Sequence, residues 1–243
     1  MVQVPRRAGV SGPTLVRLLA RLIDADIPAS RQPLAERLSQ WLSWTDAIAL
    51  SAVLDGAAPA PAAPPRAFDA AEAREVQRVR ESIARAIDDD TPFTAPPIRV
   101  SRAAATPAPA PAAAEPAYII YRQRYQAIQQ TMETSIAKLR ARLRSLLATQ
   151  TPAMARLAVV DAIMERSLSA HERRLLATIP GMLEGHFNRM RQAAEDAADA
   201  AGAASAPHSW VAAFRADMRS VLRAELDIRL QPIEGLLAAL RAH

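Results

Sequence analysis

The chain has 243 residues, half of them hydrophobic but only 4% aromatic, no cysteine, and a formal net charge of +5. That length and apolar fraction support one or two folded domains and exclude global disorder. The missing cysteine excludes disulfide frameworks, thiolate nucleophiles and cysteine-ligated metal sites, and it fits a reducing cytoplasm, the expected localisation.

Alanine, leucine, arginine, glutamate and glutamine are good helix formers, and alternating β-branched runs between turn signals are missing. The expected fold class is therefore all-α. Near the start, Arg6 and Arg7 precede an apolar stretch, Leu15 to Ile23, that Arg17 and Arg21 interrupt. It reads as neither a signal peptide nor a membrane span, and no other run approaches the roughly 20 apolar residues a bilayer crossing needs.

Residues 1–56 read as a small N-terminal unit of three short helices. Ser11-Gly12-Pro13 forms a cap region ahead of Leu15, Leu18, Leu19 and Leu22, and Pro28 closes that helix. The second helix presents Leu34, Leu38, Trp41 and Leu42; the third, capped by Thr45, presents Ile48, Leu50 and Leu54. Trp41 and Trp44 are the largest apolar surfaces of the unit and are expected to form its core.

Residues 57–67 form a Pro/Ala linker (AAPAPAAPP at 57–65) prone to polyproline II. A single amphipathic helix follows at 68–90, with Asp69 as N-cap, Glu72 at capping-box distance and a narrow stripe of Val76, Val79, Ile83 and Ile87 that needs a partner surface. Asp88, Asp89 and Asp90 sit where the helix dipole disfavours anions and mark its end. As successive residues they diverge, which makes a poor metal site. Residues 91–116 read as a second Pro/Ala-rich linker, disordered and protease-sensitive around AAATPAPAPAAA.

Residues 117–243 read as a long-helix bundle, antiparallel or coiled-coil-like. Tyr121, Tyr125, Ile128, Met132, Ile136, Leu139, Leu143 and Leu146 recur at 4-3-4-4-3-4-3 spacing, one apolar seam made for lengthwise packing. Thr151-Pro152 opens a second helix with Met154, Leu157, Val160, Met164 and Leu168, returning antiparallel. Ser169-Ala170-His171-Glu172 matches a capping box for a third, with Leu176, Ile179, Leu183, Phe187, Met190 and Ala194, kinked at Pro180 and fraying toward Ala204. The last helix shows Trp210, Phe214, Met218, Val221, Leu222, Leu226, Ile233, Leu237 and Leu240, with Pro232 as a kink or a new start.

Chemistry leaves few marks. The histidines, His171, His186, His208 and His243, fall in no metal-binding spacing, and the glycines form no phosphate-binding loop, so no catalytic, cofactor or metal residue is assigned and no enzyme is expected. Charge is concentrated instead: residues 117–150 hold Arg122, Arg124, Lys138, Arg140, Arg142 and Arg144 against the single acid Glu133. A nucleic acid or an anionic membrane is one reading. At 100° per residue, however, these cations flank the seam on both sides, the e and g arrangement in which arginines pair with acids of a neighbouring helix. Asp161, Glu165, Glu172, Glu184, Glu195, Asp196 and Asp199 are suited to that role.

The run SGPTLVRLLARLIDADIPASRQPLAERLSQWLSWTDAIALSAVL, together with TIPGMLEGHF around Pro180, resembles an uncharacterised proteobacterial family known only as a domain of unknown function. The resemblance covers most of the chain outside its linkers. It implies a bacterial source and a link to an envelope-associated system of the OmpA/MotB type, and it transfers no functional residue. The expected function is a non-enzymatic helical adaptor that self-associates or binds protein partners, with Tyr125, Ile128, Met132, Ile136, Leu139, Leu143 and Leu146 as the candidate partner seam. The alternative is a nucleic-acid-associated protein using the six cations of 122–144.

Overall fold

The computed structural model describes residues 13–25, 32–56, 70–94, 117–201 and 209–242. Among them there are nine helices and no strand: α1 (Thr14–Leu22), α2 (Leu34–Trp41), α3 (Trp44–Asp55), α4 (Ala70–Asp88), α5 (Thr91–Thr94), α6 (Tyr118–Leu147), α7 (Pro152–Leu176), α8 (Ile179–Ala201) and α9 (Ser209–Arg241). The protein is all-α. Ser11, Gly12, Pro28, Asp69 and the linker residues 57–67 and 95–116 lie outside the described residues.

α6 carries the seam into the centre. Arg140 against Asp161, Glu133 against Arg173 and Gln129 against Leu176 run in opposite numerical order, so α7 returns antiparallel. α6 and α9 instead run parallel, as Tyr121 beside Arg215 and Tyr125 beside Glu225 require. α4 lies antiparallel to both, joining Arg80 to Glu234 and Asp227, Asp88 to Arg223, and Glu72 to Arg142. The groove between α6 and α9 is thus the partner surface its stripe calls for: Val76, Ile83 and Ile87 are buried there and Val79 is partly so.

The junction of α7 and α8 departs from the expected pattern. Ser169 is not a cap; α7 passes through it without interruption to Leu176. The break comes at Ala177 and Thr178, which puts Pro180 in the first turn of α8, where its missing N–H is tolerated. Proline still leaves the Leu176 carbonyl without its helical donor. The Gln129 side-chain amide of α6 takes that carbonyl at 3.2 Å, and the Tyr118 hydroxyl donates to the carbonyl of Pro180. Pro232 lies inside a continuous α9.

The N-terminal helices dock on the long helices at separate places. α1 ends in a left-handed residue, Asp24 with φ 52°, and the amide of Ala25 returns to the Ala20 carbonyl at 3.0 Å, the Schellman closure. Leu15 and Leu22 then pack toward α8 and α9, where the Arg189 guanidinium takes the Leu22 carbonyl. α2 and α3 lie on α7, in antiparallel order: Trp41 stacks on His171 with ring centroids 4.3 Å apart, Asp46 meets Arg166 at 2.9 Å, and the Gly56 carbonyl receives Arg156 at 3.0 Å. Trp41 and Trp44 therefore do not form a core of their own, because α7 supplies the apolar surface and Trp44 faces away from it.

Candidate functional site

The seam was expected to meet a partner. Tyr125, Ile128, Met132, Ile136, Leu139 and Leu143 are all buried within this chain, and Leu147 rather than Leu146 closes the row. α4, α7, α8 and α9 cover it. A partner reaches these residues only by opening the bundle, so the seam belongs to the core. The reason is supply: α9 alone contributes fifteen buried residues, enough to satisfy a 30-residue helix from inside the chain.

Four of the six cations flanking that seam are held by the chain's own groups. Arg140 grips Asp161 bidentately at 2.7 and 2.9 Å, and Arg144 reaches Asp161 at 3.0 Å and Glu165. Arg142 pairs with Glu72 at 3.1 Å, and Arg124 donates to the Ala86 carbonyl at 2.7 Å beside Asp89. This is the e and g arrangement, with α4 sharing the role of α7. Arg122 and Lys138 are exposed and separated by more than four helical turns, about 24 Å along the axis.

The three aspartates at the end of α4 diverge. Asp88 pairs with Arg223, Asp90 with Arg219 at 2.8 Å, and Asp89 accepts the Thr91 amide at 3.0 Å; the Thr91 side chain first, then that amide, hold the Asp89 carboxyl below the usual range. The short α5 then places Phe93 against Tyr121, with the Arg215 guanidinium 5.0 Å from the Phe93 ring. Together these contacts fasten the end of α4. Of the histidines, His171 stacks on Trp41 and His186 bonds Asp217 at 2.9 Å, while His208 and His243 lie outside the described residues. Among the described residues no three His, Asp or Glu side chains converge as metal ligands.

One polar cluster was not foreseen. Glu225 of α9 is 0% exposed, and its carboxylate accepts the Tyr125 hydroxyl at 2.7 Å, the Gln129 amide at 3.0 and 3.1 Å and the Arg229 Nε at 2.9 Å. Arg229, itself buried, also approaches Glu172 of α7 at 3.4 Å. Burial, then the Glu225 charge, push the Tyr125 phenol far above its ordinary value, so it remains a donor. Both oxygens of this fully buried carboxylate accept from donors of the chain itself. Its role is positional: it ties α6, α7 and α9 in one register.

A cleft of about 320 Å³ between α4 and α9 is lined by Val76, Gln77, Arg80, Glu234, Leu237 and Arg241. The Arg80–Glu234 pair at 3.1 Å spans it.

The surface that stands apart is α3. Trp44, Ala47, Ile48, Ala49, Leu50, Ala52, Val53 and Leu54 distribute apolar side chains around the whole circumference of the helix. One arc, with Asp46, Ala49, Leu50 and Val53, faces α7. There the Ser43 hydroxyl caps the Asp46 amide at 3.1 Å and donates to the Asp46 carboxylate at 2.7 Å. That hydroxyl first, then Arg166 and Ser167, lower the Asp46 carboxyl to about 2. The opposite arc leaves Trp44 81%, Ile48 53% and Leu54 56% exposed. Trp44 was expected in a core, and Ile48 and Leu54 on the same apolar face as Leu50; one helix packed on one side only cannot bury both arcs. A helix apolar all round generally has two packing partners, and α7 is one.

The chain belongs to the family described as Protein of unknown function (DUF3348), whose model matches residues 1–242. No curated protein and no solved structure matches the chain at a significant level.

Proposed function

We propose that this member of the family is a non-enzymatic helical adaptor that binds protein through the outward arc of α3. The observation that carries the reading is the exposed row of Trp44, Ile48 and Leu54 on a helix whose other side is firmly docked. Tryptophan on a rigid helix is the residue type most enriched at protein-binding hot spots, and an exposed apolar row beside a polar rim marks such surfaces. The interior supports this division of labour, since the long seam and most of its flanking arginines are engaged within the chain and give the α3 arc a rigid platform.

The test is capture of tagged full-length protein from its native cells under mild crosslinking, with and without nuclease, comparing the wild type with Ile48→Arg. Nuclease-resistant protein partners that Ile48→Arg loses support the adaptor. Envelope components among them would carry the link that the family resemblance implies. Recovery dominated by nuclease-sensitive material, equal in both proteins, would instead favour the nucleic-acid reading.

A further inference from the structure

Resting on the adaptor reading, the chemistry of the α3 arc points to a specific occupant: we propose that a second copy of this chain packs its own α3 antiparallel across it. The arc runs from Leu54 and Ala47 through Ser51, Trp44 and Asp55 to Ile48. Its one charged residue, Asp55, hydrogen-bonds Ser51 at 2.9 Å and lies at the C-terminal end of its own helix, where the dipole disfavours a carboxylate. At the other end, the side chain of Ser43 caps the Asp46 amide, leaving the amides of Trp44 and Thr45 as first-turn donors with no intrahelical acceptor.

A two-fold axis near Ala49 joins these ends. Antiparallel pairing sets Trp44 of each copy over Leu54 and Asp55 of the other and Ile48 over Ser51. Each Asp55 carboxylate then stands at the positive end of the opposite α3, so an unfavourable charge becomes a favourable one twice over. An isologous contact needs a self-complementary patch, apolar in the middle and opposite in sign at its two ends, and this arc has that pattern. Asp46, the acid of the first turn, lies on the opposite side of the helix and is paired with Arg166.

The area sets the strength. Three partly exposed side chains offer on the order of 400 Å² per copy, against about 800 Å² per partner in a standard stable interface. The dimer is therefore weak and reversible, with a dissociation constant on the order of 10–100 µM. Because it covers the α3 arc, self-association competes with a partner protein for that arc as the concentration rises.

Sedimentation equilibrium of the full chain from about 1 to 500 µM tests this. The wild type passes from monomer to dimer within that range, and Ile48→Arg and Trp44→Arg each weaken the dimer at least tenfold while helix content and thermal midpoint stay unchanged. Asp55→Arg gives the sharper signature: it improves the end of its own helix, so the midpoint holds or rises, yet it sets a cation against the positive end of the opposite α3 and weakens association. A wild type that remains monomeric throughout overturns the second-copy assignment. So does a dimer indifferent to all three substitutions. Either result leaves the capture experiment with Ile48→Arg to decide the adaptor reading separately.

Discussion

Removing the Glu225 carboxylate is the most informative perturbation of the interior. In Glu225→Leu the Arg229 guanidinium remains buried with only Glu172 at 3.4 Å, and the Tyr125 hydroxyl loses its acceptor. Breaking a buried charge pair from one side costs roughly 3–5 kcal/mol, because the surviving charge is stranded. For a chain of this size that lowers the thermal midpoint by about 6–20 °C. Arg229→Met strands the carboxylate instead, which keeps its bonds from Tyr125 and Gln129, and costs a similar or smaller amount. The double variant Glu225→Leu/Arg229→Met removes both charges and leaves chiefly the Tyr125 hydroxyl unpaired, a penalty of about 1–2 kcal/mol. Urea unfolding followed by circular dichroism at 222 nm measures all four corners of the cycle. Single variants costing under about 1 kcal/mol, or a double variant costing the sum of the two, would refute a sealed charge pair that fixes the register of α6 and α9.

Asp161→Ala takes the shared carboxylate from the part-buried Arg140 and Arg144, leaving them Glu165 between them, and should cost about 2 kcal/mol, whereas Arg142→Gln, at an exposed pair, should stay within about 0.5 kcal/mol; the same urea assay separates them. Trp44→Ala should leave stability within about 0.5 kcal/mol because the ring is exposed, while Trp41→Ala removes the stack on His171 and loosens α2 from α7, visible as faster proteolysis before Trp44. The Asp46 carboxyl is depressed in the folded state, so its contribution to docking α3 is present above its ordinary value of 3.8 and is lost as pH falls toward about 2. Asp46→Asn should remove that acid-dependent step, followed by hydrogen exchange of the α3 amides. At the other extreme, burial followed by the nearby Glu184 raises Tyr118 to about 12, and Tyr125 lies higher still. Their contribution is full below the ordinary phenol value near 10 and declines as pH rises beyond it, so Tyr118→Phe and Tyr125→Phe should flatten the alkaline loss of stability.

The long helices could be read from spacing because each has one dominant face. From Tyr121 to Leu143 every residue of the predicted seam is buried, and the arginines beside it found Asp161 and Glu165, two of the acids expected to receive them. The same rule failed where a helix has two partners or no single apolar face. α7 packs on α6 and α3 from different sides, so its buried residues include Ala155, Ala158 and Ile163, while Leu157 is exposed. α3 is apolar on every side, and periodicity could not say which arc met the bundle.

Glu225 and Arg229 were missed because acid and base at i and i+4 look like a surface ion pair. The signal was nonetheless present: Met218, Leu222, Glu225, Arg229 and Ile233 continue the 4-3-4-4 spacing of the apolar stripe, which put both charges on the buried face. The separate docking of α1 and of α2 with α3 had no such mark, since it depends on long-range surfaces of α7, α8 and α9.

The central claim is that α3 presents this chain's protein-binding surface, and crosslinked capture from native cells after nuclease treatment, comparing wild type with Ile48→Arg, tests it most directly. The account predicts a defined set of proteins retained by the wild type and lost from the variant, whose fold and abundance are unchanged. Identical recoveries from the two proteins would contradict it.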